Sequence, residues 1–136
     1  ARSEGAEILT GGKRLDQEGY YYLPTVIAGL DEYCEINQEE VFGPVVTLVP
    51  FEDEADAIAK ANSTNYGLAA VIWTNDLKRA HRVAHQVQAG IIWVNCWMLR
   101  DLRTPFGGMK SSGVGREGGN DALRFFTEPQ NICIKL

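Results

Sequence analysis

An α/β fold is predicted for this chain, and two observations predict it. Three short, near-continuous apolar runs, Val45–Phe51, Leu68–Trp73 and Ile91–Val94, have the length and composition of buried strands. Between them lie stretches whose apolar residues recur at helical spacing, so the order strand, helix, strand, helix, strand points to a mostly parallel sheet with flanking helices.

The elements follow in order. Gly11-Gly12 and Asp16–Gly19 mark a turn-rich approach to Tyr20–Ile27, an aromatic and β-branched strand that Pro24 restricts to an edge or a strand end. Asp31–Glu40 is acidic and polar and reads as one short helical turn leading into Val41-Phe42-Gly43-Pro44. After the strand Val45–Phe51, Asp53–Asn62 reads as a helix, with Ala55, Ile58 and Ala59 on one face and acidic residues in the first turn, where the macrodipole favours them. Leu68–Trp73 is the next strand, and Asn75 or Asp76 caps a helix running to about Val87 with Leu77, Ala80, Ala84 and Val87 inward. Gly90 closes it before the strand Ile91–Val94. Asp121–Phe126 is expected to be helical, and Asn131–Leu136 alternates like a terminal strand.

Composition narrows the function. The 136 residues are 45% hydrophobic, enough for a core, and 13 basic against 18 acidic residues leave a net charge of -5 with no basic stripe, so nucleic acid is not expected as a partner. No apolar run reaches the roughly 20 residues of a membrane span, so no membrane partner is expected either. The opening ARSEGAEILTGG looks like a cut chain end rather than a targeting segment. Cys34, Cys96 and Cys133 are odd in number and scattered, as suits free thiols in a reducing compartment, and cytoplasm is the expected location.

The most unusual stretch is Trp93–Gly119, which sets Arg100 and Arg103, a Pro-Phe-Gly-Gly turn and six glycines between an apolar strand and a final helix. Gly113–Gly118 has the letters of a dinucleotide fingerprint, but no buried strand precedes it and no acidic residue follows at the ribose distance, so it is rejected. Met109-Lys110-Ser111 lacks the glycines of a phosphate loop. His81 and His85 lie one turn apart without a third ligand and read as solvated histidines, and no metal is expected. Cys96 is the best-placed thiol, yet it has no base partner in sequence, so no catalytic residue is assigned. Two groups stay open on the residues alone. Glu39-Glu40 ahead of Phe42 is either a carboxylate for vicinal hydroxyls or a solvated pair. Arg100-Asp101-x-Arg103 is either an anion-binding group or a surface ion-pair cluster.

QEEVFGPVV, ANSTNYGLAA, GIIWVN and PFGGMKSSGVGREGG ahead of FFTE resemble, in this order, the C-terminal part of the NAD(P)-dependent aldehyde dehydrogenases. NCWMLRDLRTPFGG is most like the members acting on 2-hydroxymuconic and 2-aminomuconic semialdehydes. The resemblance implies that residues 1–127 belong to the catalytic domain and residues 128–136 form an oligomerisation strand. It further implies that Glu40 holds the nicotinamide-side ribose hydroxyls of NAD, with NADP also compatible, and that Phe42 packs beside that ribose and ring. Arg100 then pairs with a substrate carboxylate, and Phe106 lines the substrate tunnel. The family's nucleophilic cysteine, general-base glutamate, transition-state asparagine and Rossmann domain have no counterpart in these residues. In the intact enzyme a thiolate attacks the aldehyde, hydride passes to NAD and water releases the acid. The expected partners are an aldehyde substrate, an N-terminal portion of the same enzyme and further copies of it in a homo-oligomer. The piece alone is expected to be inactive. The alternative is a fragment or split subunit that serves only as a binding or oligomerisation module.

Overall fold

The computed structural model describes residues 1–136, which form two units, Ala1–Thr64 and Asn65–Leu136. The first unit begins with a single 3-10 turn, Arg2–Glu4, followed by strands β1 (Glu7–Thr10) and β2 (Thr25–Ala28), a one-turn helix α1 (Glu35–Gln38), strand β3 (Val45–Thr47) and helix α2 (Glu54–Asn62). β2 is the middle strand, antiparallel to β1 and parallel to β3. Its alternation explains that position: Thr25 and Ile27 are buried while Val26 and Ala28 are partly covered. The buried Thr25 hydroxyl is satisfied on both sides, donating to the Leu23 carbonyl at 2.7 Å and accepting from the Gly12 amide at 2.8 Å.

Two expected strands are shorter than their apolar runs. The one expected over Tyr20–Ile27 starts only at Thr25, because Pro24 offers no N–H and Tyr20–Leu23 is spent on a turn in which Tyr22 bridges Arg14. The one expected over Val45–Phe51 stops at Thr47, since its partner β2 ends where Gly29 turns away at φ 80°. α2 matches its expected span, with Asp53 as N-cap: its carboxylate accepts from the Asp56 amide at 2.9 Å.

The second unit contains β4 (Tyr66–Gly67), β5 (Ala69–Ile72), α3 (Leu77–Ala84), β6 (Ile91–Val94), β7 (Met109–Lys110) and α4 (Gly119–Phe125). β5 and β6 are parallel, from Ala69 opposite Ile91 to Ile72 opposite Val94, and α3 connects them. α3 is capped by Asp76, which accepts from the Arg79 amide at 3.1 Å, and it buries Ala80. β4 and β7 form a separate antiparallel pair.

The predicted architecture needs two corrections. The strands do not form one mostly parallel sheet: the parallel pairs β2–β3 and β5–β6 belong to different sheets, and β1 is antiparallel to β2 as β7 is to β4. Leu77 is not inward but 72% exposed, at the open first turn of α3. Residues 128–136 pair with no strand of this chain, as an oligomerisation strand takes its ladder from another copy. No helix is long and apolar enough to cross a membrane.

A large apolar surface is left uncovered. The accessible area is 10658 Å² for 15.0 kDa. A folded monomer of that mass exposes about 7,000 Å², and two independent domains of half the mass about 8,500 Å², however they are arranged. Tyr20, Phe42, Trp73, Trp97, Phe126 and Ile134 are among the side chains that face outward.

Within the second unit one close approach sets the geometry. A Cβ on Gly90, just before β6, would collide with the Gly107 carbonyl, so backbone rests directly on backbone there. Gly43 by contrast meets nothing nearer than ordinary contact, at 3.8 Å from the Val41 side chain. Gly90→Ala is expected to destabilise the chain by about 3 kcal/mol and Gly43→Ala by less than about 0.5 kcal/mol, measured by urea unfolding. Equal midpoints for the two variants would show that Gly107 yields without cost.

Candidate functional site

In the first unit the acidic stretch winds around one carboxylate. Asp31 Oδ1 accepts from the Tyr33 amide at 2.9 Å, the Cys34 amide at 3.1 Å and the Cys34 thiol at 3.3 Å, and the Asp31 carbonyl accepts from Asn37 Nδ2 at 2.6 Å. These bonds, the Tyr33 amide first and the Cys34 thiol next, hold the Asp31 carboxyl below the usual aspartate range. They fold α1, and Glu39 ends it by leaving helical backbone at φ -108°, ψ 143°. Glu40 follows, exposed, its side chain making no hydrogen bond or ion pair within the chain. Phe42 stands at φ 50° and is 92% exposed, a left-handed backbone that a bulky residue seldom adopts without a role. The Pro44 carbonyl then accepts from the Thr25 amide at 2.8 Å and ties this corner to β2. Glu40 and Phe42 are thus presented outward from a turn fixed at both ends.

In the second unit the loop after β6 is held by side chains rather than by regular structure. Asn95, at φ 54°, accepts from the Thr74 amide at 2.9 Å and donates to the Thr74 carbonyl at 2.7 Å, prolonging the β5–β6 pairing by one side chain. Trp93 is buried on β6, and its indole N–H donates to the Leu99 carbonyl at 2.8 Å while Trp97 stands edge-on to its ring at 5.3 Å. The next residue is Arg100. Its guanidinium carbon lies 4.3 Å from the centre of the Phe106 ring, and Nη2 is 3.9 Å from Glu117 Oε2. Phe106 and Glu117 are themselves paired across the loop, exchanging backbone hydrogen bonds at 2.8 and 2.6 Å.

The structure resolves the arginine cluster into two parts. Arg103 is an ordinary surface ion pair: Nη2 reaches Asp101 Oδ2 at 2.6 Å and Nε reaches Oδ1 at 2.9 Å. That contact lowers the Asp101 carboxyl and raises the Arg103 guanidinium from their usual values. Arg100 is drawn away from Asp101 toward Phe106 and Glu117, and that single 3.9 Å contact leaves most of its donor fork available. Of the residues singled out from the sequence, Arg100 and Phe106 are therefore brought together, and Glu40 and Phe42 share one turn of the other unit. Trp93, Glu117 and Arg116 were not singled out. Arg116 donates to the Gly108 carbonyl at 2.9 Å and the Gly115 carbonyl at 2.7 Å, stapling the glycine segment. The signal for Glu117 and Arg116 was their place inside that segment, which was read for its glycines alone.

The other motifs have local uses. Gly118 and Gly119 have no room for a side chain against the carbonyls of Thr104 and Arg103, so these glycines serve backbone packing ahead of α4. His81 on α3 and His85 at its C-cap are exposed, and no three metal-binding side chains converge. Partial burial, then the Asp31 hydrogen bond, pushes the Cys34 thiol above its ordinary value, the opposite of an activated nucleophile. Because the raised value keeps the thiol protonated, labelling of Cys34 by iodoacetamide is expected to keep accelerating beyond pH 9.0, the ordinary value. A rate that levels off near neutral pH, followed by mass spectrometry, would mean an activated thiolate.

The sequence pattern of the aldehyde dehydrogenase family matches residues 1–132. Over 141 residues the chain is 52% identical to a 2-hydroxymuconic semialdehyde dehydrogenase and 51% identical to a 2-aminomuconic 6-semialdehyde dehydrogenase, both from Pseudomonas; each alignment covers 100% of the chain and 29% of the relative. Among solved structures, the NAD+ complex of an aldehyde dehydrogenase from Bacillus cereus superimposes with a TM-score of 0.90 at 43% identity, over 93% of this chain and 26% of that one. The chain thus spans under a third of the length of the proteins it matches, and within that span it belongs to the aldehyde dehydrogenase family.

Proposed function

We propose that this chain is the C-terminal portion of an NAD(P)-dependent enzyme that oxidises a carboxylate-bearing aldehyde, such as 2-hydroxymuconic or 2-aminomuconic semialdehyde, to the acid. The observation that carries the substrate class is Arg100, a guanidinium laid over the Phe106 ring with only one long contact to an acidic side chain. A planar fork held in this way is suited to a bidentate carboxylate. The names of the relatives, which act on muconic semialdehydes, support the same class.

For the cofactor, the fit lies in the chemistry of Glu40 and Phe42. An exposed carboxylate without a partner in the chain accepts two hydroxyl donors, as the vicinal hydroxyls of a ribose provide, and an exposed ring at its side offers an apolar face. NAD, when bound, supplies the oxidising power by accepting the hydride of the aldehyde. Glu40 would hold the ribose at the nicotinamide end, and Phe42 would limit how that end moves. NADP is equally compatible, because these two residues do not face the adenosine ribose.

The nucleophile, general base and transition-state donor belong, on this reading, to the rest of the enzyme, and the chain alone is inactive. The uncovered apolar surface supports this, since so much exposed area suits a chain whose remaining faces are closed by further polypeptide. Residues 128–136 would acquire their strand partner in the homo-oligomer. The cytoplasm is the proposed location, in keeping with three free thiols.

The test is a chimera in which this chain replaces the matching 29% of the Pseudomonas 2-hydroxymuconic semialdehyde dehydrogenase. Arg100→Ala is expected to raise KM for the carboxylated semialdehyde about 30-fold or more, the effect of losing about 2 kcal/mol, with less than about threefold change for a neutral aldehyde. Equal changes for both would remove Arg100 from substrate recognition. Glu40→Gln should instead raise KM for NAD.

A further inference from the structure

The loop that carries Arg100 is fixed on its N-terminal side by one buried group. Asn95 closes the end of the β5–β6 pair, and the chain then doubles back through Trp97 and Met98, the latter at φ 57°. Of the four residues from Cys96 to Leu99, Trp97 packs edge-on to the Trp93 ring at 5.3 Å, and the peptide next to Arg100 needs a tie of its own. The tie is the Trp93 indole, which is 6% exposed and spans six residues to donate to the Leu99 carbonyl at 2.8 Å. Leu99 C=O is one half of the peptide bond whose other half is the Arg100 amide, so a shift there moves the guanidinium directly. On the C-terminal side the Asp101 carbonyl accepts from the Thr104 amide at 3.1 Å and the Thr104 hydroxyl at 2.7 Å.

We propose that Trp93 is the positioning residue for carboxylate recognition: its indole N–H anchors the peptide before Arg100 so that the guanidinium lies over Phe106, with Glu117 as the counter-ion a substrate carboxylate displaces. The inference rests on Arg100 as the carboxylate clamp. The Glu117 contact is long and 76% of that carboxylate side chain is exposed, so it is a weak competitor that holds the guanidinium fork open without occupying it. The stiffness comes from the Trp93 bond, which is shorter and better buried. Phe106 supplies the surface on which the guanidinium rests, and its pairing with Glu117 keeps ring and counter-ion in one frame. Trp93 does not touch substrate in this scheme. It acts through where Arg100 starts.

The same chimera tests this with Trp93→Phe, which keeps a buried ring and deletes the donor, beside Trp97→Phe as a control that leaves the Leu99 bond intact. Trp93→Phe is expected to raise KM for the carboxylated semialdehyde about five- to tenfold, leaving kcat and the KM of a neutral aldehyde within about twofold. Trp97→Phe should change neither beyond about twofold. Should Trp93→Phe fail to fold, a benzothiophene analogue of tryptophan at position 93 keeps the indole shape without the N–H, and the same split is expected. An equal loss for both aldehydes, or no change for either, overturns the positioning role while leaving Arg100→Ala selective. If Arg100→Ala is itself unselective, both inferences fall.

Discussion

The second unit depends on a place where two backbones meet with no side chain between them. Gly90 precedes β6 and lies against Gly107, so the glycine segment is pressed onto the end of the strand that carries Trp93. Everything that follows inherits its position from that contact. β7 pairs with β4, the Ser112 hydroxyl accepts from the Gly67 amide at 2.9 Å, and Arg116 staples the glycines to each other. The loop from Asn95 to Phe106 is then closed at both ends, which lets an exposed stretch without regular structure hold one guanidinium in a defined place.

The first unit solves a similar problem with different means. Glu40 and Phe42 sit on a turn between α1, which Asp31 winds up through three donors on one oxygen, and β3, which pairs with β2. A phenylalanine at φ 50° is costly in a turn whose only task is to reverse the chain. Within one unit the polar side chain is presented by a helix end, and within the other by a loop tied to a strand. Both depend on short-range hydrogen bonds to backbone rather than on a large core, in keeping with the handful of residues that are buried at all.

The parts of the fold legible in the sequence were those set by local periodicity. α2, β5, α3, β6 and α4 lie near where apolar spacing placed them, because Asp76 makes one of the two caps the sequence offered, Asp53 caps the helix it was expected to begin, and the apolar strands have partners in the chain. Pairing was not legible. β1 was not foreseen because Glu7–Thr10 has no apolar alternation and is a strand only by its ladder to β2. Asn131–Leu136 has the alternation but no ladder within the chain. Arg100 and Phe106 were marked by resemblance, and the structure adds that the guanidinium lies over the ring. Trp93 escaped notice because a tryptophan on a buried strand reads as core, and only the structure gives its N–H a partner in the Leu99 carbonyl.

These observations describe a chain rich in outward-facing apolar side chains, with an unpartnered Glu40 carboxylate, an Arg100 guanidinium laid over a ring and a Cys34 thiol pushed above its ordinary value. The central claim is that it completes an aldehyde dehydrogenase site whose reacting groups come from elsewhere in the enzyme. The most direct measurement is aldehyde-dependent NADH formation by the 136-residue chain, alone and mixed with the remaining N-terminal portion of the enzyme. No turnover alone and turnover on mixing is the expected result. NADH formed by the chain alone would contradict the claim and turn attention to Cys96 as the nucleophile.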